Sequence, residues 1–508
     1  MTSRSSGVLM HVTSLPGEFG CGTMGAEAYD FIRYLAEAGF SAWQILPLCP
    51  PGPGHSPYSS IGSFAGATHL IDPRLLVTDG LLSEADLPAL RYSGKSNLTN
   101  YTFAEANTAT FLRRAFLAAR PSTREAVTRY AEAEGKWLYD YALFTVISDR
   151  FQGMGWREWP DVDLRNYDFT AVADFAERHR DQVEFVYFSQ WLFSRQWQSL
   201  RATAQENGIS LIGDLPFYVA ANSADVWGNR ELFELNADYS TARVAGVPPD
   251  YFSAAGQLWG NPLYLWSKHR EDDYAWWRER IARQMDLVDV LRLDHFRAFS
   301  TYWACPGNAT NARDGVWEQG PGMDLLVKII TEHGRERFIA EDLGLAADDV
   351  AALLRESELP GIKVLQFGLS PGSSPADRPH FIPRNSVAYT GTHDNNTLLG
   401  WLWEAPEQER RDALAYIGFP EDGPWGEGGK AAPACLAYIR LLFQSQAERV
   451  IIPIQDLCGY GADTRMNVPG TPVGNWAFRL RPEALRDDID WQLFRQMNEI
   501  YDRLPEIV

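Results

Sequence analysis

Short apolar runs recur along this chain, and most of them stop abruptly at a polar or charged residue. They cover 7–12, 40–48, 209–213, 288–293, 337–340, 362–367, 386–390 and 450–454. Each has strand length and is bounded by turn formers, as buried parallel strands are. Between most of them the apolar positions recur at helical spacing, over 26–38, 104–119, 123–150, 171–207, 323–333, 347–356, 407–417 and 433–444. Gly39 stands where a C-cap would close the first of these helices. Eight strands alternating with helices predict an α/β fold, a (β/α)8 TIM barrel. Large, mostly helical insertions separate strands two and three, and three and four. The expected organisation is a single catalytic barrel domain over 1–508, with a helical insertion subdomain at 64–180 and a second insertion subdomain at 220–285. Phe185, Phe188, Trp191, Phe193 and Trp197 fall at helical spacing and are read as core.

Acidic residues stand at the strand ends. Asp214 follows the third run, Asp294 the fourth, Glu341 the fifth, and His393 with Asp394 the seventh. In a barrel of this kind the C-terminal mouth carries the chemistry and the strand starts serve stability. Arg292 and Asp294 lie two apart, so on a strand they project to one face. The cation is expected to keep Asp294 ionised and to fix its rotamer. A structural ion pair at a strand end would read the same way in isolation. Four acids from four strands converging on one mouth are harder to explain as structure, because gathering like charges is unfavourable without a compensating use.

Composition narrows the ligand. Of 508 residues, 45% are hydrophobic and 22% charged, an ordinary globular balance. The net charge of -20 argues against nucleic acid or an anionic membrane as main partner. Aromatic content of 13%, with 18 Trp, is high. Most of these rings belong in the core, but aromatic rings also stack on the apolar faces of sugars. The stretch 246–261 is rich in Gly and Pro and carries Tyr251, Phe252 and Trp259, so it reads as a loop presenting aromatic platforms to a ligand. The five cysteines are scattered and form no Cys-x-x-Cys pair, so neither a disulfide framework nor a zinc site is expected. The polar segment 1–7 lacks the apolar centre of a signal peptide, and no apolar run could span a bilayer. These features point to the cytoplasm.

Two carboxyl groups flanking a bond, with a third nearby, suit glycosidic-bond chemistry. A magnesium or calcium site would also want several carboxylates, but dispersal over four strands and the aromatic loops fit sugar better.

Arg-Leu-Asp-His-Phe-Arg (292–297), Ala-Glu-Asp-Leu-Gly (340–344) and Thr-Gly-Thr-His-Asp-Asn (390–395) resemble the active-site motifs of the 4-α-glucanotransferases, the amylomaltases or disproportionating enzymes of the α-amylase clan. Ser-Leu-Pro-Gly (14–17), Ser-Pro-Tyr-Ser-Ser (56–60), Gly-Asp-Leu-Pro-Phe-Tyr-Val (213–219), the 246–262 loop and the motif at 465–476 also match, so the resemblance runs from about residue 7 to 479. It implies a retaining double displacement on α-1,4-glucans, with maltooligosaccharides, glucose and starch- or glycogen-derived chains as partners and no cofactor. By match, Asp294 is the nucleophile, Glu341 the general acid and then base, and Asp394 the transition-state stabiliser. Arg292 orients Asp294, and His393 donates to the same sugar. Asp214 and Tyr58 line the donor-side site, and Trp259 and Phe252 stack on acceptor sugars. Asn467 lies in a matched motif. Glu341 should therefore have a raised pKa, and retention implies carboxylates roughly 5–5.5 Å apart. The wider clan carries a His in an Asp-x-x-x-x-Asn-His motif that is missing after Asp214, so no required metal is expected. A retaining α-glucan hydrolase and a non-catalytic glucan-binding barrel are the alternatives.

Overall fold

The computed structural model describes residues 4–249, 255–344, 347–370 and 375–505. Phe252 and Tyr251 lie outside the described residues. Twelve strands run through these segments: β1 (Ser5–Leu9), β2 (Ala42–Gln44), β3 (Ser210–Leu215), β4 (Arg243–Val247), β5 (Gln257–Pro262), β6 (Val290–Leu293), β7 (Thr301–Pro306), β8 (Val316–Gln319), β9 (Phe338–Ala340), β10 (Gly361–Val364), β11 (Ser386–Tyr389) and β12 (Arg449–Pro453). Eight of them close a parallel barrel in the order β1-β12-β11-β10-β9-β6-β3-β2. These are the eight apolar runs of the sequence, in chain order.

The strands are shorter than the runs. Of 40–48 only Ala42–Gln44 pairs as a strand, and 362–367 leaves the sheet after Val364 for a short helix, Leu365–Leu369. Ile45, Leu46, Leu48 and Leu365 stay buried beyond the ladder. Apolar character here marks burial, which extends past the last strand hydrogen bond.

Helices fill the long connection from β2 to β3. The stretch 123–150 divides into Pro121–Glu134 and Lys136–Arg150 at Gly135, whose φ of 66° and ψ of -136° break the helix. Similarly, 171–207 divides at His179 into Phe169–Arg178 and Arg180–Glu206. Both breaks are one residue long, and the apolar period carries across them because both halves face the same core. Phe188, Phe193 and Trp197 are buried, with Phe185 and Trp191 packed at the edge. The Trp197 indole donates to the Leu287 carbonyl at 2.7 Å, tying this helix to the segment that enters β6.

A second sheet departs from the sequence reading. β4 leads into the presumed loop and β5 lies within it; they pair antiparallel and join β7 and β8 in the order β5-β4-β7-β8. The lobe beside the barrel therefore takes half its strands from beyond residue 285, outside the predicted 220–285 insertion. Gly and Pro mask β4 and β5 locally, and their partner β7 lies some distance along the chain. The sheet holds its own small core of Val244, Cys305 and Ala312. Among the described residues, no helix is long and apolar enough to cross a membrane. The five cysteines are free and buried.

Candidate active site

The barrel register brings the predicted acids together. Asp214 on β3 and Arg292 on β6 are direct cross-strand partners, so their side chains share a face. Pairing continues one step past the strands: the Asp294 amide donates to Leu215 O and the Glu341 amide to Leu293 O, both at 3.1 Å. Asp294 and Glu341 thus stand on adjacent strand ends. The chain turns at His295, which has a φ of 48°. That turn points the His295 amide at the Glu341 carboxylate, 2.8 Å away, while the Leu343 amide donates to its other oxygen at 3.0 Å.

Arg292 is the centre of the charge network. One guanidinium nitrogen reaches both Asp214 oxygens at 2.7 Å and Asp294 Oδ1 at 3.0 Å. Arg292 and Asp214 are buried, and the Asp294 side chain is 24% exposed. The Tyr58 hydroxyl donates to Asp214 Oδ2 at 2.7 Å. Both Asp214 oxygens therefore meet protein groups, Arg292 and Tyr58. In this arrangement it anchors Arg292 and Tyr58. The Tyr58 ring, stacked on His393 at 5.1 Å and tilted against Trp476 at 5.6 Å, remains at the mouth.

The electrostatics of Asp294 also differ from expectation. Burial raises its pKa, and Arg292 opposes the shift without cancelling it, because Asp214 shares the same cation and adds its own repulsion. Glu341 is raised as well, first by burial and then by the Asp294 charge. No cation is hydrogen-bonded to Glu341 among the described residues, whereas Asp294 touches Arg292. The charged form is therefore favoured more at Asp294 than at Glu341.

Asp394 lies on the open side, with 48% of its side chain exposed. Asn467 donates to its Oδ1 at 2.6 Å and His393 Nε2 lies 3.3 Å from the same oxygen. Burial lowers the His393 pKa, so the ring is neutral and acts as a hydrogen-bonding group. Arg465 opens the motif at 465–476. It donates to the Asp394 carbonyl at 2.6 Å and to the Asn467 carbonyl at 2.7 Å, clamping the segment that carries the acid. Its charge beside an acidic motif is the signal that could have singled it out. Trp259, on β5 and 40% exposed, meets the ring of His295, the residue after Asp294, edge-on at 4.9 Å.

A closed barrel whose C-terminal mouth gathers two carboxyl groups on adjacent strand ends, a third acid and aromatic rings defines an enzyme of the carboxylate-driven glycoside class. The comparisons narrow the class. The glycoside hydrolase family 77 model, described as 4-alpha-glucanotransferase, matches residues 10–485, and the chain belongs to this family. A 4-alpha-glucanotransferase of Thermus thermophilus is 40% identical, with 99% of each chain covered. One from Streptococcus pneumoniae is 37% identical over 100% of this chain and 99% of its own. Among solved structures, the amylomaltase from Streptococcus agalactiae in complex with acarbose superposes with a TM-score of 0.93 at 36% identity, covering 99% of this chain and 100% of that one. The chain is thus a transglycosylating enzyme acting on α-1,4-glucans, not a passive glucan-binding barrel.

Proposed function

We propose that this chain moves α-1,4-glucan segments from a maltooligosaccharide donor to the 4-hydroxyl of glucose or another glucan by a retaining double displacement, within the cytoplasm. Glu341 protonates the glycosidic oxygen as an Asp294 oxygen bonds to the anomeric carbon and the bond to the leaving sugar breaks. Glu341, now ionised, takes the proton from an acceptor 4-hydroxyl. That oxygen attacks the anomeric carbon and Asp294 leaves. Asp394, held by Asn467 and approached by His393, binds hydroxyls of the distorted ring. Arg292 orients Asp294. Tyr58 is a platform for the donor sugar, and Trp259, with Phe252 of the same hairpin, is assigned to the acceptor. The observation that carries the reading is the asymmetry of the central pair: Asp294 contacts a cation, whereas among the described residues Glu341 is held by backbone amides. Maltotriose resolved by size over time tests the activity. Glucose, maltotetraose and longer chains at constant reducing ends are expected. Rising reducing ends without longer chains would contradict it.

The pH dependence follows from the same pair. Glu341 must enter the first step protonated, so activity falls as pH rises through its pKa. Asp294 must be ionised, so activity falls as pH drops through its own. Both are raised by burial, which places the bell of kcat/KM above the ordinary carboxylate range. A basic limb near about pH 5, where free carboxylates titrate, would refute the assignment.

Transfer requires that an acceptor hydroxyl outcompete water, which depends on orientation and water exclusion. Trp259→Ala is expected to raise the share of hydrolysis by roughly 2- to 12-fold, the equivalent of about 0.5–1.5 kcal/mol of aromatic contact. Products of maltotriose counted as free reducing ends against transferred chains give this ratio directly, and an unchanged ratio would remove Trp259 from the acceptor site.

A further inference from the structure

Asp456 lies three residues past β12, at the same mouth as the acids above, and is buried. Among the described residues no Lys or Arg pairs with it. An unpaired buried carboxylate is unfavourable unless its hydrogen bonds compensate, and such groups mark functional sites more often than chance. Its two oxygens have separate partners. Oδ2 accepts from the Thr390 hydroxyl and Oδ1 from the Leu398 amide at 2.7 Å. Thr390 directly follows β11, and Leu398 opens the helix Leu398–Glu404. The segment between them is the loop that presents His393 and Asp394.

We propose that Asp456 is a positioning residue for the transfer reaction, closing the 390–398 loop at its base so that Asp394 is held at the distorted sugar. The inference rests on the role proposed for Asp394. Other ties reach the middle of the loop: Arg465 binds the Asp394 carbonyl, the Asn467 amide the His393 carbonyl, and Gln366 the Asn396 carbonyl. Asp456 alone among these joins both ends, from a barrel strand that carries no other assigned group. Its pKa, pushed by burial up to about 6, accords with a carboxylate kept in place by neutral donors.

The test uses Asp456→Asn, which keeps the shape and removes the charge, and Thr390→Val, which removes one hydrogen bond and leaves the carboxylate. With maltotriose, kcat of Asp456→Asn is expected to fall by about 10- to 100-fold, the range for a misplacement near 1 Å. KM should stay within about twofold, because Asp394 acts on the transition state more than on the bound substrate. Thr390→Val should lower kcat in the same direction by less. In an Asp394→Asn background the further loss from Asp456→Asn should be under about twofold, since the two act as one unit. Three results would overturn the proposal: kcat unchanged in both folded variants, a loss that multiplies fully with that of Asp394→Asn, or an unfolded Asp456→Asn beside a Thr390→Val of parental kcat. If Asp394→Asn itself retains full activity, the proposed role of Asp394 fails instead.

Discussion

Asp294→Asn is expected to lose transfer and hydrolysis together, by on the order of 10⁴-fold or more, with the fold intact. The neutral amide cannot form the glycosyl ester, so both half-reactions stop. A loss of 10⁴ equals about 5.4 kcal/mol of barrier, more than electrostatic adjustment by one neighbour supplies. The substitution is nearly isosteric and relieves repulsion with Asp214, Asp394 and Glu341, so the thermal midpoint should hold or rise. Kinetics on maltotriose beside a thermal unfolding curve separate the two effects. A variant that keeps more than about a hundredth of parental kcat would show that Asp294 is not the nucleophile.

Arg292→Met should damage both stability and activity. The guanidinium is buried and holds Asp214 and Asp294 from a single nitrogen. Methionine fills much of the volume but leaves two carboxylates without their cation. Breaking a buried pair by removing one partner costs about 3–5 kcal/mol, and here two acids are stranded. They respond by taking up protons. Asp294 then enters the reaction neutral, so the acid limb of the pH profile should move upward and kcat near neutrality should fall by about 10³-fold. The double variant Asp214→Asn with Arg292→Met should recover stability but little activity, because only the structural anion is removed. Equal recovery of both would mean that Arg292 acts on folding alone.

Much of this site was legible before the fold was known, for a physical reason. A buried parallel strand has a near-continuous apolar run, so the charge at its end is conspicuous, and the barrel collects such ends at one mouth. Asp294, Glu341, His393 and Asp394 were found in that way. What could not be read was partnership across the chain. Asp214 reads as an acid at a strand end, and nothing local tells that its oxygens meet Arg292 and Tyr58, residues 78 and 156 positions away. Asp456 follows the last apolar run, yet its link to Thr390 and Leu398 exists only once β11 and β12 are paired. The same limit hid the sheet of β4, β5, β7 and β8, whose members are short and separated by the strand that carries Arg292. The breaks at Gly135 and His179 escaped because one residue suffices to turn a helix while the apolar period continues.

The central claim is that Asp294 carries the sugar between donor and acceptor. Its most direct test is the mass of the protein after reaction with α-maltotriosyl fluoride in the Glu341→Gln variant. Fluoride leaves without acid assistance, so the first step proceeds. The second step lacks its base, so the intermediate accumulates. The account predicts a protein heavier by one maltotriosyl group, with the added mass on the peptide containing Asp294. An adduct on any other residue, or fluoride release with inversion at the anomeric carbon and no adduct, would contradict it.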